Sequence, residues 1–318
     1  MENDISRILV IINPASGRAR SARNVEIFVD ELHNLGATTH SKHTRGIAHA
    51  RDIAACEGAD YDLVVACGGD GTLSEVVSGL LELNAPPSVG FYPSGSTCDV
   101  ARSFQLTTDP KEAARDMLFG RSFPIDIGMI SRDAPSEHHD DDHSADFAKL
   151  PRHFTYVAAF GAFTEVSYDT RRSLKKTFGH MAYVLTGMRS LRHIHSASTL
   201  VTLDDKDYSG DYLFGGLINS RSIGGLVPLP NAVLDDGYFD AVLVTKPKSF
   251  RLLWRLVRRL LQGKEDPHIL RVPVRKALFQ FDDPVPFTVD GEYGGTKSTW
   301  AIENLPRAIT LRIAATEE

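Results

Sequence analysis

Along the first 130 residues, apolar runs and amphipathic stretches take turns. Residues 8–12 form an uninterrupted apolar run, the mark of a strand buried on both faces. Val25, Phe28, Val29 and Leu32 then recur at helical spacing. Residues 38–42 read as a short strand, 47–56 as a helix and 63–67 as a second buried strand. Leu73, Val76, Val77, Leu80 and Leu81 follow the i, i+3, i+4, i+7, i+8 rule of an amphipathic helix. Residues 88–92 are again strand-like, and helical segments continue to Phe119. This alternation predicts a doubly wound α/β domain over residues 1–130, with a mostly parallel sheet and helices on both faces.

After residue 150 the texture changes. Residues 154–160, 199–203, 212–219, 239–245, 277–281 and 308–313 read as strands. Turn pairs such as Asp204-Asp205, Asp236-Gly237 and Asp290-Gly291 separate them. A second, mainly antiparallel β domain is expected over 151–299, with helices at 181–191 and 249–262. Between the halves, residues 131–150 are acidic, histidine-rich and almost without large apolar groups. They read as a mobile, solvated insertion, with metal binding by His138, His139 and His143 as the alternative.

Composition narrows the function classes. The net charge of −6 gives no general reason to bind nucleic acid. Cys56, Cys67 and Cys98 are odd in number and lack zinc-ligand spacing, so they read as reduced thiols of a cytoplasmic protein. No stretch approaches 18 uncharged apolar residues, and the N-terminal apolar run is short and without a basic leader. The expectation is a protein that is at most peripheral to a membrane.

The chemistry gathers in loops at predicted strand ends: 13–17, 68–75 and 93–99. In a parallel α/β sheet these ends are where ligands bind. Glycine lets backbone N–H groups approach an anion closely, and the helix near Leu73 adds its positive end. Thr72 and Ser96 add hydroxyl donors. Asp70 stands in the middle of "GGDGT", where a bare carboxylate would repel phosphate; a bridging magnesium ion resolves the conflict. A tight strand-to-helix turn with Asp70 as its cap is the simpler alternative. Neither a Walker A loop nor a G-x-G-x-x-G turn is present, which argues against an oxidoreductase.

Five segments, "NPASG" at 13–17, "GGDGTLSEVVSGL" at 68–80, "PSGSTCDVAR" at 93–102, "LDDGYFD" at 234–240 and "VDGE" at 289–292, stand in the order seen in one family. On them the chain resembles the diacylglycerol kinase catalytic-domain family, in particular the bacterial soluble lipid kinases related to sphingosine kinases and NAD kinases. The resemblance implies an ATP- and Mg2+-dependent lipid kinase, with ATP in the cleft between an N-terminal α/β domain and a C-terminal β-sandwich-like domain. It implies that the segment from about 300 to 318 returns to the first domain. By motif, the nucleotide would be met by Asn13, Pro14, Ala15, Ser16, Gly17, Thr44, Gly69, Asp70, Gly71, Thr72, Leu73, Ser74, Glu75 and Ser96. Asp70, Asp99 and Asp126 would hold a water–magnesium network. Asp236, with the carbonyls of Val233 and Tyr238, would bind a structural magnesium, and Glu292 or Asp290 would be the base.

The residues themselves support such a reaction, since an alcohol attacking a γ-phosphate needs a positioned carboxylate. The chain departs from the family pattern at Ser74, Ser96 and Cys98, where asparagine, threonine and asparagine are usual. The expected reaction turns diacylglycerol into phosphatidic acid. An NAD kinase-like enzyme and a nucleotide-binding regulator without catalysis are the alternatives.

Helix 249–262 contains "FRLLWRLVRRLLQ". Phe250, Leu253, Trp254, Val257, Leu260 and Leu261 are expected to form one apolar stripe with arginines beside it. That pattern suits peripheral contact with the anionic inner face of a membrane, with packing on the β domain as the alternative. A basic run at 171–176 lies elsewhere in the same half. No nucleic-acid partner is expected, and a homodimer is left open.

Overall fold

The computed structural model of the 318-residue chain describes residues 5–16, 19–95, 98–131, 152–161, 197–223, 227–229 and 231–315. Gly17, Ser96, most of the 131–150 insertion, the basic run at 171–176 and the expected helix at 181–191 lie outside them. The chain divides into two compact units. One combines Met1–Ile127 with Leu305–Glu318, and the other is Gly128–Asn304.

The first unit is built on a parallel sheet. β1 (Arg7–Ile12) lies between β2 (Thr38–His43) and β3 (Leu63–Gly68), and β4 (Ser88–Pro93) follows β3. The end of the last strand of the chain joins this sheet, Leu311 pairing in parallel with Val89. Ile8, Leu9, Val10 and Ile11 of β1 and residues 63–67 of β3 are fully shielded, which both faces require for continuous apolar runs. One face packs against α1 (Ala19–Asn34) and α5 (Pro110–Phe119). There Val25, Phe28, Leu32, Met117 and Leu118 share a core with Ile8, Val10, Val65 and Tyr92. Helices α2 (His49–Glu57) and α3 (Asp70–Leu80) pack on one another, and a five-residue helix, α4 (Asp99–Ser103), follows β4. The start of α5 is encoded locally. Asp109 caps it, accepting the N–H groups of Lys111 at 3.0 Å and Glu112 at 2.9 Å, and Pro110 fills the first turn.

The second unit is antiparallel. β10 (Gly210–Ile218) pairs with β7 (Val157–Gly161) on one side and β13 (Phe239–Thr245) on the other, and β14 (Ile269–Val274) follows β13. β15 (Lys276–Val289) pairs with β7, with β8 (Ala197–Leu203) and with β16 (Glu292–Ile313). Its core is aromatic: Phe287 stacks on Trp300 with centroids 4.1 Å apart, and Phe160 meets Phe281 edge-on at 4.9 Å. The helix expected at 249–262 is present as α6 (Phe250–Leu261), capped by Ser249, whose hydroxyl accepts the Leu252 N–H. Among the described residues, no helix is long and apolar enough to cross a membrane.

Candidate active site

Parallel strands end on one edge of their sheet, and the register places four polar segments side by side there. Ile12 lies opposite both His43 and Cys67, and Gly68 lies opposite Pro93. Asn13, just past β1, donates its backbone N–H to the Cys67 carbonyl at 2.9 Å. Thr44, just past β2, donates its N–H to the Ile12 carbonyl at 2.9 Å. Asn13 also reaches across with its side chain, Nδ2 donating to Thr72 Oγ1 at 3.0 Å, while its Oδ1 accepts the Ala15 N–H. Ser16 Oγ lies 3.1 Å from Ser94 Oγ, linking the first loop to the third.

α3 begins at Asp70, with Gly69 as its cap residue, so the amides of Gly69, Asp70 and Gly71 form the positive end of that helix. Gly95 is required here. A Cβ at this position would lie 2.7 Å from the Gly69 Cα, a backbone atom that cannot rotate away. Pro14 and Ala15 are exposed and Ser16 half-buried, whereas Leu73 is fully buried and its N–H donates to the Gly69 carbonyl at 3.2 Å, so it presents no group to a ligand. Thr72 and Ser74 are buried, at 5% and 6% exposure.

The acids of this unit tie its segments together. The buried Asp70 carboxylate accepts the N–H of Asp99 at 3.0 Å and of Val100 at 3.2 Å, tying the start of α3 to the start of α4. Asp99 and Asp126 are fully buried, and Asp126 Oδ1 accepts the Arg307 N–H at 2.8 Å. Glu75 turns toward α2, where its carboxylate accepts the N–H groups of Ala48 at 2.9 Å and Ala50 at 3.1 Å. Ala48 is held at a φ of 64°, and this clamp sits four residues after Thr44. Cys98 adopts a φ of 49°, and burial, followed by the adjacent Asp70, pushes its thiol up to about 12.

In the second unit, β15 and β16 are joined by Asp290 and Gly291, with φ of 47° and 82°, the Asp-Gly pattern of a two-residue hairpin turn. Among the described residues, the buried Asp290 carboxylate accepts hydrogen bonds from Thr155 N–H at 2.7 Å, Thr155 Oγ1 at 2.9 Å, Tyr156 N–H at 2.9 Å and Val157 N–H at 3.0 Å. A carboxylate has about four lone-pair positions, so these donors use its accepting capacity. Glu292, two residues on, is exposed. Elsewhere in the unit Asp236 is exposed and its Oδ1 accepts the Tyr238 N–H at 3.0 Å, while Val233 is 52% exposed. Asp240 lies nearby. Burial raises its carboxyl, Arg271 opposes that and Asp236 adds to it. Among the described residues, no three His, Cys, Asp or Glu side chains are grouped to hold a metal ion by themselves.

Two participants were not singled out in the sequence, Ser94 and Thr155. Ser94 belongs to a recognised loop, but Thr155 acts on a residue 135 positions away and leaves no local signal.

Comparison with known proteins gives this arrangement a family. Residues 7–130 match the model of the diacylglycerol kinase catalytic domain, and residues 157–313 match the YegS C-terminal NAD kinase beta sandwich-like domain. The diacylglycerol kinase of Bacillus subtilis (strain 168) is 30% identical over 298 residues, covering 92% of this chain and 91% of that protein. That of Staphylococcus saprophyticus is 31% identical over 295 residues, covering 91% and 90%. A solved structure of a diacylglycerol kinase from Bacillus anthracis shares the fold, with a TM-score of 0.72 at 19% identity, covering 98% of each chain. The chain belongs to the diacylglycerol kinase family and is a kinase. Membership in that family implies the use of ATP.

Proposed function

We propose that this kinase transfers the γ-phosphate of ATP to the free hydroxyl of diacylglycerol, forming phosphatidic acid, with Glu292 as the base. The observation that carries the reading is the Asp290–Gly291 turn. Both acids of "VDGE" were candidates for the base. Asp290 spends its oxygens on donors from Thr155, Tyr156 and Val157, and Glu292 stands exposed beside it. Asp290 thus acts as a positioning residue.

In the proposed step the lipid hydroxyl oxygen bonds to the γ-phosphorus, the bond from that phosphorus to the bridging oxygen breaks, and ADP leaves. Glu292 takes the hydroxyl proton. The amides of Gly69, Asp70 and Gly71 and the hydroxyl of Thr72 orient the phosphates, and Asn13, Thr44 and Ser16 shape the nucleotide site around them. Magnesium, when bound, supplies positive charge at the phosphate oxygens. The donor set fits a cation that keeps several of its waters and takes one or two carboxylates plus phosphate, rather than an all-protein cage. Asp70 is the nearest candidate at the helix start, with Asp99 and Asp126 holding water. Asp236 with the Val233 and Tyr238 carbonyls would take a second, structural ion that relieves its repulsion with Asp240.

The substrate assignment is supported by the names of the relatives. Its test is incubation of the protein with labelled ATP, Mg2+ and a panel in mixed micelles: diacylglycerol, ceramide, a sphingoid base, a polyprenol and, in solution, NAD. Label in phosphatidic acid is expected; label only in another acceptor overturns the diacylglycerol assignment.

A further inference from the structure

The amphipathic pattern of α6 places two surfaces back to back, and the structure shows which one is turned outward. Leu253, Leu256, Val257 and Leu260 are buried at 1–9% exposure, so the aliphatic stripe is used in packing the helix onto its own unit. Trp254 and Leu261, expected on that stripe, are on the other side, 47% and 38% exposed. Leu256, left out of the expected stripe, is the most buried of all. The reason is angular: at 100° per residue, positions 253, 256, 257 and 260 share one arc, and 254 and 261 fall beyond its edge.

The outward arc therefore carries Arg251, Trp254, Arg255, Arg258 and Leu261 together. The twelve residues of α6 include no acid, so no intrahelical i, i+4 partner offsets these arginines. Arg255 is paired with Asp266, Nε to Oδ2 at 3.0 Å, and Glu265 is the exposed acid near the C-terminal end of the helix. Lys248 and Lys264 flank the helix at its two ends, both exposed.

We propose that this face of α6 docks on an anionic lipid bilayer. Tryptophan and leucine on the same arc as arginines match the chemistry of a headgroup layer, where a ring sits at the apolar boundary and guanidinium groups meet phosphate. The net charge of the chain is −6, so attraction to an anionic surface has to come from a local patch of this kind. The inference deepens the lipid-kinase reading by giving the enzyme a route to an insoluble substrate. Vesicle binding is measured without ATP, so its failure is distinct from a failure of that reading.

The test uses the full chain and vesicles of phosphatidylglycerol mixed with phosphatidylcholine, compared with phosphatidylcholine alone. Trp254 and Trp300 are the two tryptophans, and Trp300 is buried at 1% exposure. A blue shift in emission on adding anionic vesicles therefore reports Trp254, and it is expected to vanish in Trp254→Phe. Arg251→Glu/Arg258→Glu is expected to lower vesicle affinity at least about tenfold, with the thermal midpoint kept. Its activity on a short-chain, water-soluble diacylglycerol should equal that of the wild type. The proposal is overturned if there is no shift, if neutral vesicles bind as well, if the double variant binds unchanged, or if the same substitutions instead dissolve a dimer in sedimentation.

Discussion

The Asp290 carboxylate accepts the Thr155 N–H at 2.7 Å, joining the β15–β16 turn to the segment just before β7. On the proposed reading Asp290 positions the turn and Glu292 is the base, and substitutions should separate the two acids. Asp290→Asn keeps a side chain that tolerates the positive φ but replaces one acceptor oxygen with a donor facing backbone N–H groups. It should cost about 1–3 kcal/mol in stability and lower activity with it. Equilibrium unfolding in urea reads the first effect. An Asp290→Asn protein as stable as wild type would remove the positioning role.

Glu75 gives a second prediction. Its carboxylate holds the N–H groups of Ala48 and Ala50, at the start of α2 and just past Thr44. Glu75→Ala should cost about 1 kcal/mol, the usual value of a lost helix cap, and raise KM for ATP more than it lowers kcat. Glu75→Gln, which keeps one acceptor oxygen, should recover part of the loss. Steady-state kinetics with thermal melts of both variants provide the check.

The close approach of Gly95 to Gly69 gives a third. Gly95→Ala forces a methyl group to 2.7 Å from a backbone carbon. Overpacking of this kind costs about 1–3 kcal/mol, and here the strain falls on the loop that begins α3. Nucleotide affinity, read by titration calorimetry, is expected to fall well beyond what the change in melting temperature explains.

Cys98 gives a fourth. With its thiol pushed up to about 12 and its side chain buried, it should resist alkylation at pH 8, where the thiolate is the reacting form. Burial likewise raises the Cys67 thiol, whereas Cys56 is exposed. Native protein should show one fast thiol toward iodoacetamide and unfolded protein three. Because asparagine accepts a φ of 49° more readily than cysteine, Cys98→Asn should hold or raise stability, by up to about 1 kcal/mol, while Cys98→Val lowers it.

The α/β half was legible because its strands are buried on both faces. Residues 8–12, 63–67 and 88–92 are apolar runs with no competing period, and each matches a strand to within a residue or two. β5 (Arg121–Ile130) and β14 escaped notice because Pro124 and Pro273 interrupt them and pairing with neighbours decides their state. β15 and β16 are far longer than their apolar runs at 277–281 and 308–313. Asp282, Asp283 and Pro284 fall where the pairing register shifts between Gln280 and Val285, and no periodicity survives there.

The site was legible as a set of loops but not as a set of roles. In sequence Asp70 and Asp290 read as acids beside glycine and Glu75 as an acid of the helix that follows. Their hydrogen-bond partners lie 29, 27 and 135 residues away, and only the fold brings them together.

The central claim is that Glu292 accepts the proton of the lipid hydroxyl. The direct measurement is the initial rate of phosphate transfer from ATP to diacylglycerol in mixed micelles, for wild type and Glu292→Gln, with unfolding followed in parallel. An exposed glutamate can change to glutamine without loss of stability. The account therefore predicts an unchanged melting temperature, an unchanged KM for ATP and a fall in kcat of about 10²–10⁴-fold. A variant that turns over at the wild-type rate would contradict it.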